Sequence, residues 1–180
     1  MILIMSIELI SLIKTYPHKT RTIEAETTLF RRDGIVRKLF IVEFGIVELV
    51  RYSENGSGLV LQRATDGQIL AEASLYSKSY HCDAVITTSA RLQEFSKTML
   101  LDAIQTDPKL LHLWAAYLSR TVQEARQRAE ILSRRSVTDR LDGWLAMHDM
   151  QMPEKGQWYR LAMEIGVTPE ALYREIAKRR

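Results

Sequence analysis

Cysteine is nearly absent from this chain of 180 residues, in which Cys82 is the only thiol. A disulfide within the chain is therefore impossible, and we expect a protein of a reducing compartment, the cytoplasm. An iron–sulfur cluster held by the thiolates of one chain is excluded as well, because such a cluster needs several cysteines.

Long hydrophobic runs are also missing. The N-terminal stretch, residues 1–10, is apolar, but Glu8 interrupts it and neither a basic leader nor a small-residue cleavage site accompanies it. Because it is too short to span a bilayer and does not match a secretory signal, we expect a docked helix or strand and no membrane partner.

Neither sign of charge is in excess over most of the chain. Residues 1–118 contain 13 Lys/Arg and 13 Asp/Glu, whereas residues 119–180 contain 12 and 9. The net charge of +3 therefore belongs to the C-terminal third. An anionic partner of that third is one interpretation, and ordinary solvated helices are the other.

Residues 29–100 have the pattern of short strands separated by turns. Residues 39–51 are rich in β-branched and aromatic side chains, with Gly45 at a turn or bulge. Asn55-Gly56 and Asp66-Gly67 predict turns, and we expect two strands, 83–88 and 90–95, on either side of Ser89. This spacing is typical of a barrel or a double-sheet roll.

Helical patterns follow. A short helix is predicted over 99–105, and Asp107-Pro108 begins a long one that runs to Ser133 or beyond. Its apolar positions recur with helical period: Leu110, Leu113, Trp114, Tyr117, Leu118, Val122, Ala125, Ala129 and Leu132. The partner of this stripe is either the β domain or the same helix of a second chain, and we expect a homodimer through residues 107–135.

The last third contains helix signals over 137–147 and 157–165, then Gly166 as a turn, Thr168 as a cap and Pro169 at the first position of a final helix to Lys178. Helix, glycine turn and capped helix form a helix-turn-helix pattern. We therefore expect three parts: a β-rich domain over 1–106, a dimerisation helix over 107–135 and a helix-turn-helix domain over 136–180.

Residues 161–176 resemble the helix-turn-helix of the cAMP receptor protein/FNR family, with Ala162, Gly166, Val167 and Leu172 at the packing positions. Three segments look like successive parts of that family's β-roll: 30–34, 39–45 and 66–76. The resemblance implies an α+β fold: an N-terminal cyclic-nucleotide-binding-like β-roll (jelly roll), a long dimerisation helix and a helix-turn-helix head.

The resemblance also implies DNA contacts. In the family a Glu and an Arg four residues apart contact bases, and Glu170 and Arg174 occupy those positions, whereas Pro169 replaces a common arginine. Such a Glu accepts from cytosine and such an Arg donates twice to guanine. The other expected contacts are Thr168, Tyr173, Lys178 and Arg179. The implied partners are a pseudo-palindromic operator and RNA polymerase.

The effector pocket departs from the pattern of the cAMP-binding members. Glu72 is present, but Ala71 replaces the glycine before it, and Cys82 and Asp83 replace the Arg-Ser pair that binds the phosphate. Ala125 and Arg126 replace the Thr-Ser pair that meets the adenine, and Ala73 completes the expected pocket. Without the cation a buried phosphate loses its strongest hydrogen bonds, so we expect no cAMP binding. Glu72 then either caps backbone amides or contacts an unknown effector.

No cofactor is expected. Tyr80-His81-Cys82 offers metal or haem ligands in sequence, but neighbours on a strand face opposite sides. His18, His112 and His148 are scattered, and Cys82 is either a redox group or a small buried thiol. An enzyme on a cupin-like roll would need clustered His and carboxylate ligands, so we expect no enzyme.

Members of the family usually continue beyond the second helix into a β-hairpin wing, whereas this sequence ends at Arg180. We therefore expect a head that lacks most of the wing. Lys178, Arg179 and Arg180 either contact DNA phosphates or form a solvated helix end. A sensor or interaction protein that does not bind DNA is the alternative function.

Overall fold

The computed structural model describes residues 2–54 and 58–179, with side chains from Ile7 onward. The chain forms two compact units, Met1–Ser119 and Arg120–Arg180, and the division falls within the long helix. In the described residues, no helix is both long and apolar enough to cross a membrane.

The first unit is built on one antiparallel sheet with strand order β1-β6-β3-β4, in which β2 pairs with β6 and β5 with β3. The strands are β1 (His18–Ile23), β2 (Thr28–Phe30), β3 (Lys38–Tyr52), β4 (Gly58–Ala64), β5 (Ile69–Leu70) and β6 (Asp83–Ser96). The helices are α1 (Ile2–Ile13), α2 (Lys97–Thr106) and α3 (Pro108–Ser133). The docked N-terminal segment is therefore a helix.

Strand β3 is long and crosses both halves of the roll because it bends at Gly45. The register to β6 shifts on either side of this glycine, which confirms the predicted turn or bulge as a bulge. Gly45 has φ 93°, and an added Cβ would lie 2.4 Å from the carbonyl oxygen of Ser89. Only glycine fits this close approach between two backbones.

The predicted break at Ser89 is wrong, because β6 is continuous from Asp83 to Ser96. The irregularity resides in the partner strand instead, where the Gly45 bulge lets β6 pass without a turn. The Asn55-Gly56 turn lies outside the described residues, although Tyr52 pairs with Gly58 beside it. Helix α2 begins at Lys97, two positions before the predicted start.

The alternation along β3 divides the first unit into two apolar cores. Leu39 and Ile41 face the helices together with Trp114 and Phe95. Phe40 and Val42, which alternate with them along β3, belong to a second core inside the roll. This second core also contains Val47, Leu49, Cys82 and Ile86. Each large apolar side chain buried in this way contributes about 1.5–3 kcal/mol of transfer free energy.

The second unit consists of the C-terminal part of α3 followed by α4 (Val137–Met147), α5 (Trp158–Glu164) and α6 (Pro169–Lys178). The Ser136 side chain caps α4 and the Thr168 side chain caps α6. Gly166 makes the turn between α5 and α6 with φ 64°. The helices enclose a common apolar core: Ile131, Leu141, Trp144, Leu145, Leu161, Ala162, Ile165, Leu172 and Ile176.

The apolar stripe of α3 has two different environments. Leu110, Leu113 and Trp114 are buried in the core of the first unit. Val122 and Ala125 are exposed. The β domain therefore accounts for the beginning of the stripe but not for its middle.

Candidate DNA-contacting surface and effector pocket

One face of α6 is polar and open to solvent. Leu172, Glu175 and Ile176 point into the second unit and are buried. All six predicted DNA-contacting residues are exposed: Thr168, Glu170, Tyr173, Arg174, Lys178 and Arg179. The amphipathic pattern that buries the inner side of the helix places these groups outward.

Thr168 has a structural task at the start of α6. Its hydroxyl oxygen accepts a hydrogen bond from the Ala171 backbone N–H at 3.2 Å, and Pro169 follows at the first helical position. The cap satisfies a backbone donor that would otherwise lack a helical partner. Thr168 therefore determines where the exposed face begins.

Arg179 is engaged within the protein. Its Nη1 lies 2.5 Å from Asp142 Oδ1, its Nε lies 2.9 Å from Glu175 Oε1, and its Nη2 donates to the Thr138 carbonyl at 3.2 Å. Hydrogen bonds from Arg179, and then from Thr138, hold the pKa of the Glu175 carboxyl below its usual range. Arg179 therefore joins α6 to α4 while it stays exposed, and its predicted contact with DNA stays a prediction.

Arg140 was missed by the sequence analysis. Its Nη1 donates to the carbonyl oxygens of Ile165 and Gly166, at 3.1 and 2.8 Å, and its Nε donates to the Arg134 carbonyl at 2.8 Å. One guanidinium therefore secures the turn between α5 and α6 against the segment before α4. No sequence signal marks this role, since the acceptors are backbone atoms.

The effector pocket predicted from the sequence centres on a short 3₁₀ turn, Glu72–Ser74, in the first unit. Ala71 precedes it with φ 71°, a left-handed conformation that costs a non-glycine residue about 1–2 kcal/mol. Glu72 is buried and Ala73 is exposed. Ala71 thus adopts a backbone conformation that glycine would reach without this cost.

Position 82, where the family resemblance leads one to expect a phosphate-binding arginine, has apolar surroundings. Cys82 is 1% exposed and packs inside the roll. Burial raises the pKa of its thiol to about 11, against the influence of Arg51, while Asp83 and Glu72 raise it further. A protonated, buried thiol is a poor nucleophile and a poor metal ligand, which favours the interpretation of a packing residue over a redox group.

Asp83 and Arg51 complete the surroundings of Cys82. The Asp83 Oδ1 accepts from the Arg32 backbone N–H at 2.6 Å. The Arg51 Nη2 donates to the carbonyl oxygen of His81 at 3.0 Å. Arg51 was missed by the sequence analysis because it belongs to β3, far along the chain from this segment.

Tyr80, His81 and Cys82 lie outside the strands, so the argument from opposite strand faces does not apply. Their side chains have separate partners instead. Tyr80 stacks on Phe30 with ring centroids 3.7 Å apart, and His81 Nδ1 lies 3.1 Å from Ser74 Oγ. Burial, and then Arg51, lower the pKa of His81. Within the described parts of the chain, no three His, Cys, Asp or Glu side chains group as metal ligands.

Ala125 and Arg126, expected to complete the pocket, lie on the portion of α3 that belongs to the second unit. Both are exposed there. Their part in binding an effector stays a prediction.

The fold points to a class of protein. Residues 20–107 match the family model described as cyclic nucleotide-binding domain. No curated protein matches the chain by sequence.

Solved structures extend the similarity to both units. The global regulator CLP of Xanthomonas campestris, described as c-di-GMP responsive, is 23% identical with a TM-score of 0.70, covering 95% of this chain and 90% of CLP. FixK2 of Bradyrhizobium japonicum is 16% identical with a TM-score of 0.74, covering 91% and 84%. TTHA1359, a CRP/FNR-family transcriptional regulator of Thermus thermophilus, is 22% identical with a TM-score of 0.65, covering 89% and 84%.

At these identities the structural matches show the fold. The chain has the fold of the CRP/FNR transcriptional regulators, with a cyclic nucleotide-binding domain in its first unit. The family resemblance and the α+β fold class predicted from the sequence are confirmed. The expected loss of the wing stays a prediction.

Proposed function

We propose that this protein is a homodimeric, DNA-binding transcription regulator rather than an enzyme, and that it acts in the cytoplasm. The observation that supports this is the exposed polar face of α6, which carries Glu170, Tyr173, Arg174 and Lys178. The Thr168 side chain caps the start of this helix. A helix presented in this way fits the major groove of B-DNA.

The side chains of this face differ in the DNA groups that they can bind. The Arg174 guanidinium can donate two hydrogen bonds to guanine, and the Glu170 carboxylate can accept from cytosine N4. Lys178 is a flexible point charge suited to a phosphate. In a dimer, two such helices would contact half-sites about 34 Å apart on a pseudo-palindromic operator.

Selection from random-sequence DNA tests this function directly. The purified full chain should enrich a pseudo-palindrome whose half-sites are one helical turn apart, and footprinting should show protection that weakens as salt rises. A pool that remains random after several rounds contradicts sequence-specific binding. It would favour the alternative of a sensor or interaction protein.

We further propose that cAMP is not the effector. The phosphate would meet the buried, protonated Cys82 thiol in place of a guanidinium, with the Asp83 carboxylate beside it. The nearby Arg51 guanidinium donates to the His81 carbonyl oxygen, so it does not replace a guanidinium at position 82 as the partner of a phosphate. Isothermal titration of the full chain with cAMP should show no micromolar binding, and measurable micromolar affinity would contradict the proposal.

A further inference from the structure

Four soft metal ligands lie within the six residues that end α4 and begin the following loop: Met147, His148, Met150 and Met152. The three methionines are 39%, 67% and 38% exposed. Methionine is usually a buried core residue, whereas here three exposed thioethers lie beside an exposed imidazole and can be reached from solvent. We name residues 147–152 the methionine loop.

The His148 ring is held in the orientation that a metal ligand requires. Its Nδ1 lies 2.7 Å from the Trp144 carbonyl oxygen. Because a carbonyl can only accept, Nδ1 must carry the proton, which leaves the lone pair of the neutral ring on Nε2. Metal-binding histidines typically donate their other ring N–H to a backbone carbonyl in this way. The ring also stacks on Trp144, with centroids 3.6 Å apart and planes 9° from parallel.

The backbone of the methionine loop folds back on the end of α4. The backbone N–H groups of His148 and Met150 both donate to the Leu145 carbonyl, at 3.0 and 2.8 Å. Asp149 and Met150 have φ of 52° and 59°, a left-handed conformation that costs a non-glycine residue about 1–2 kcal/mol. These bonds and left-handed residues end α4 in the manner of a helix C-cap, and they set the direction in which the methionine loop leaves the helix.

We propose that Met147, His148, Met150 and Met152 bind a soft monovalent cation, Cu(I) or Ag(I). Thioether and neutral imidazole donors suit such ions, whereas Mg²⁺, Ca²⁺ and Mn²⁺ prefer carboxylate and carbonyl oxygens. All four donors are uncharged when they bind the cation. None of the four donors belongs to α6, and cation binding is measured without DNA, so the test does not depend on DNA binding.

Silver nitrate in chloride-free buffer is the probe, because Ag(I) has the same ligand preference and no redox chemistry at neutral pH. The full chain is labelled with ¹³C at the methionine methyl groups and titrated with Ag(I) while its methyl spectrum is recorded. The signals of Met147, Met150 and Met152 should shift together and saturate at one equivalent. Met163, which is 39% exposed on α5, should not shift at that ratio and serves as the internal control.

Two substitutions test the ligands individually. His148→Asn keeps a side-chain N–H for the Trp144 carbonyl but removes Nε2, and Met150→Leu keeps the volume but removes the sulfur. Each should lower the Ag(I) affinity by about tenfold or more, whereas Met163→Leu should leave it unchanged. Because Met150 is exposed, its substitution keeps the test valid should the histidine variant fold poorly.

Three outcomes would overturn the proposal. The methyl signal of Met163 could shift in parallel with those of the methionine loop, which indicates unspecific thioether binding. Ag(I) binding could be lost in Cys82→Ala, which assigns the ion to the thiol. Both loop variants could retain the affinity of the unchanged chain, which excludes their side chains as ligands.

Discussion

At the scale of single residues, Cys82 shows how the surroundings determine what a side chain can do. The same position that would hold a cationic phosphate ligand in cAMP-binding relatives holds a thiol packed among Leu49, Ala84 and Ile86. Burial favours its neutral form and raises its pKa to about 11. Its chemistry is therefore that of a small apolar group.

This shift predicts how stability changes with pH. Below the ordinary thiol pKa of 9.0 the Cys82 side chain is protonated in both states; between 9.0 and about 11 only the unfolded thiol loses its proton. The free energy of unfolding should therefore fall as pH rises through this window, by up to about 1.4 kcal/mol per pH unit. Urea unfolding at pH 8 and 10.5 should show a smaller loss in Cys82→Ala. Equal losses in both proteins would contradict the assignment.

Arg174 and Lys178 provide a second prediction at this scale, because the proposal assigns them different tasks. Arg174→Ala should cost about 1–3 kcal/mol on the selected operator and relax base preference at one position. Lys178→Ala should weaken operator and random DNA alike and lower the salt slope by about one. Fluorescence anisotropy on both DNAs over a salt series measures this. Identical behaviour of the two variants would exclude base contact by Arg174.

At the scale of secondary structure, α6 is oriented by a polar network as well as by its apolar side. Arg179 joins Glu175 on its own helix to Asp142 and the Thr138 carbonyl on α4. The carboxyl of Glu175 is buried beside it, so removal of the guanidinium would leave that group without its main partner.

We therefore expect Arg179→Ala to loosen α6 rather than to remove a phosphate contact. The melting temperature of the chain should fall by several degrees, whereas the exposed Lys178→Ala should leave it unchanged. DNA affinity should decline with little change in salt slope, since no phosphate contact is lost. Differential scanning calorimetry measures the melting temperature, and fluorescence anisotropy over a salt series measures the DNA affinity and its salt slope. An unchanged melting temperature together with a salt slope lowered by about one would show that Arg179 contacts a DNA phosphate instead.

The elements that the sequence predicted well are those with local signals. Asp107-Pro108 and Thr168-Pro169 predict two helix starts, and α3 and α6 begin at Pro108 and Pro169. Ser89 was misjudged because the continuity of β6 depends on the Gly45 bulge in another strand. The contacts of Arg140 and Arg179 within the protein were missed for the same reason: several of their partners are distant in sequence, and several are backbone atoms.

At the scale of the whole molecule, the question is what covers the middle of α3. Val122 and Leu111, which are 47% and 48% exposed, are three helical turns apart and therefore share one face with Ala125 and Ala129. Leu111 was not part of the predicted stripe. A helix face of small and aliphatic side chains at this spacing is suited to pack against a copy of itself.

The dimer proposed above makes a final prediction about this face. Val122→Glu would place an unpaired carboxylate between two α3 helices, at a cost of several kcal/mol on association. The matched control is Gln127→Glu, which adds the same charge on the opposite side of α3. Sedimentation equilibrium should give twice the chain mass of 20.8 kDa for the unchanged protein and for Gln127→Glu, and the single-chain mass for Val122→Glu. Operator affinity should fall with dimerisation, because each half-site would then be bound alone. A Val122→Glu variant that sediments as a dimer would show that α3 is not the interface.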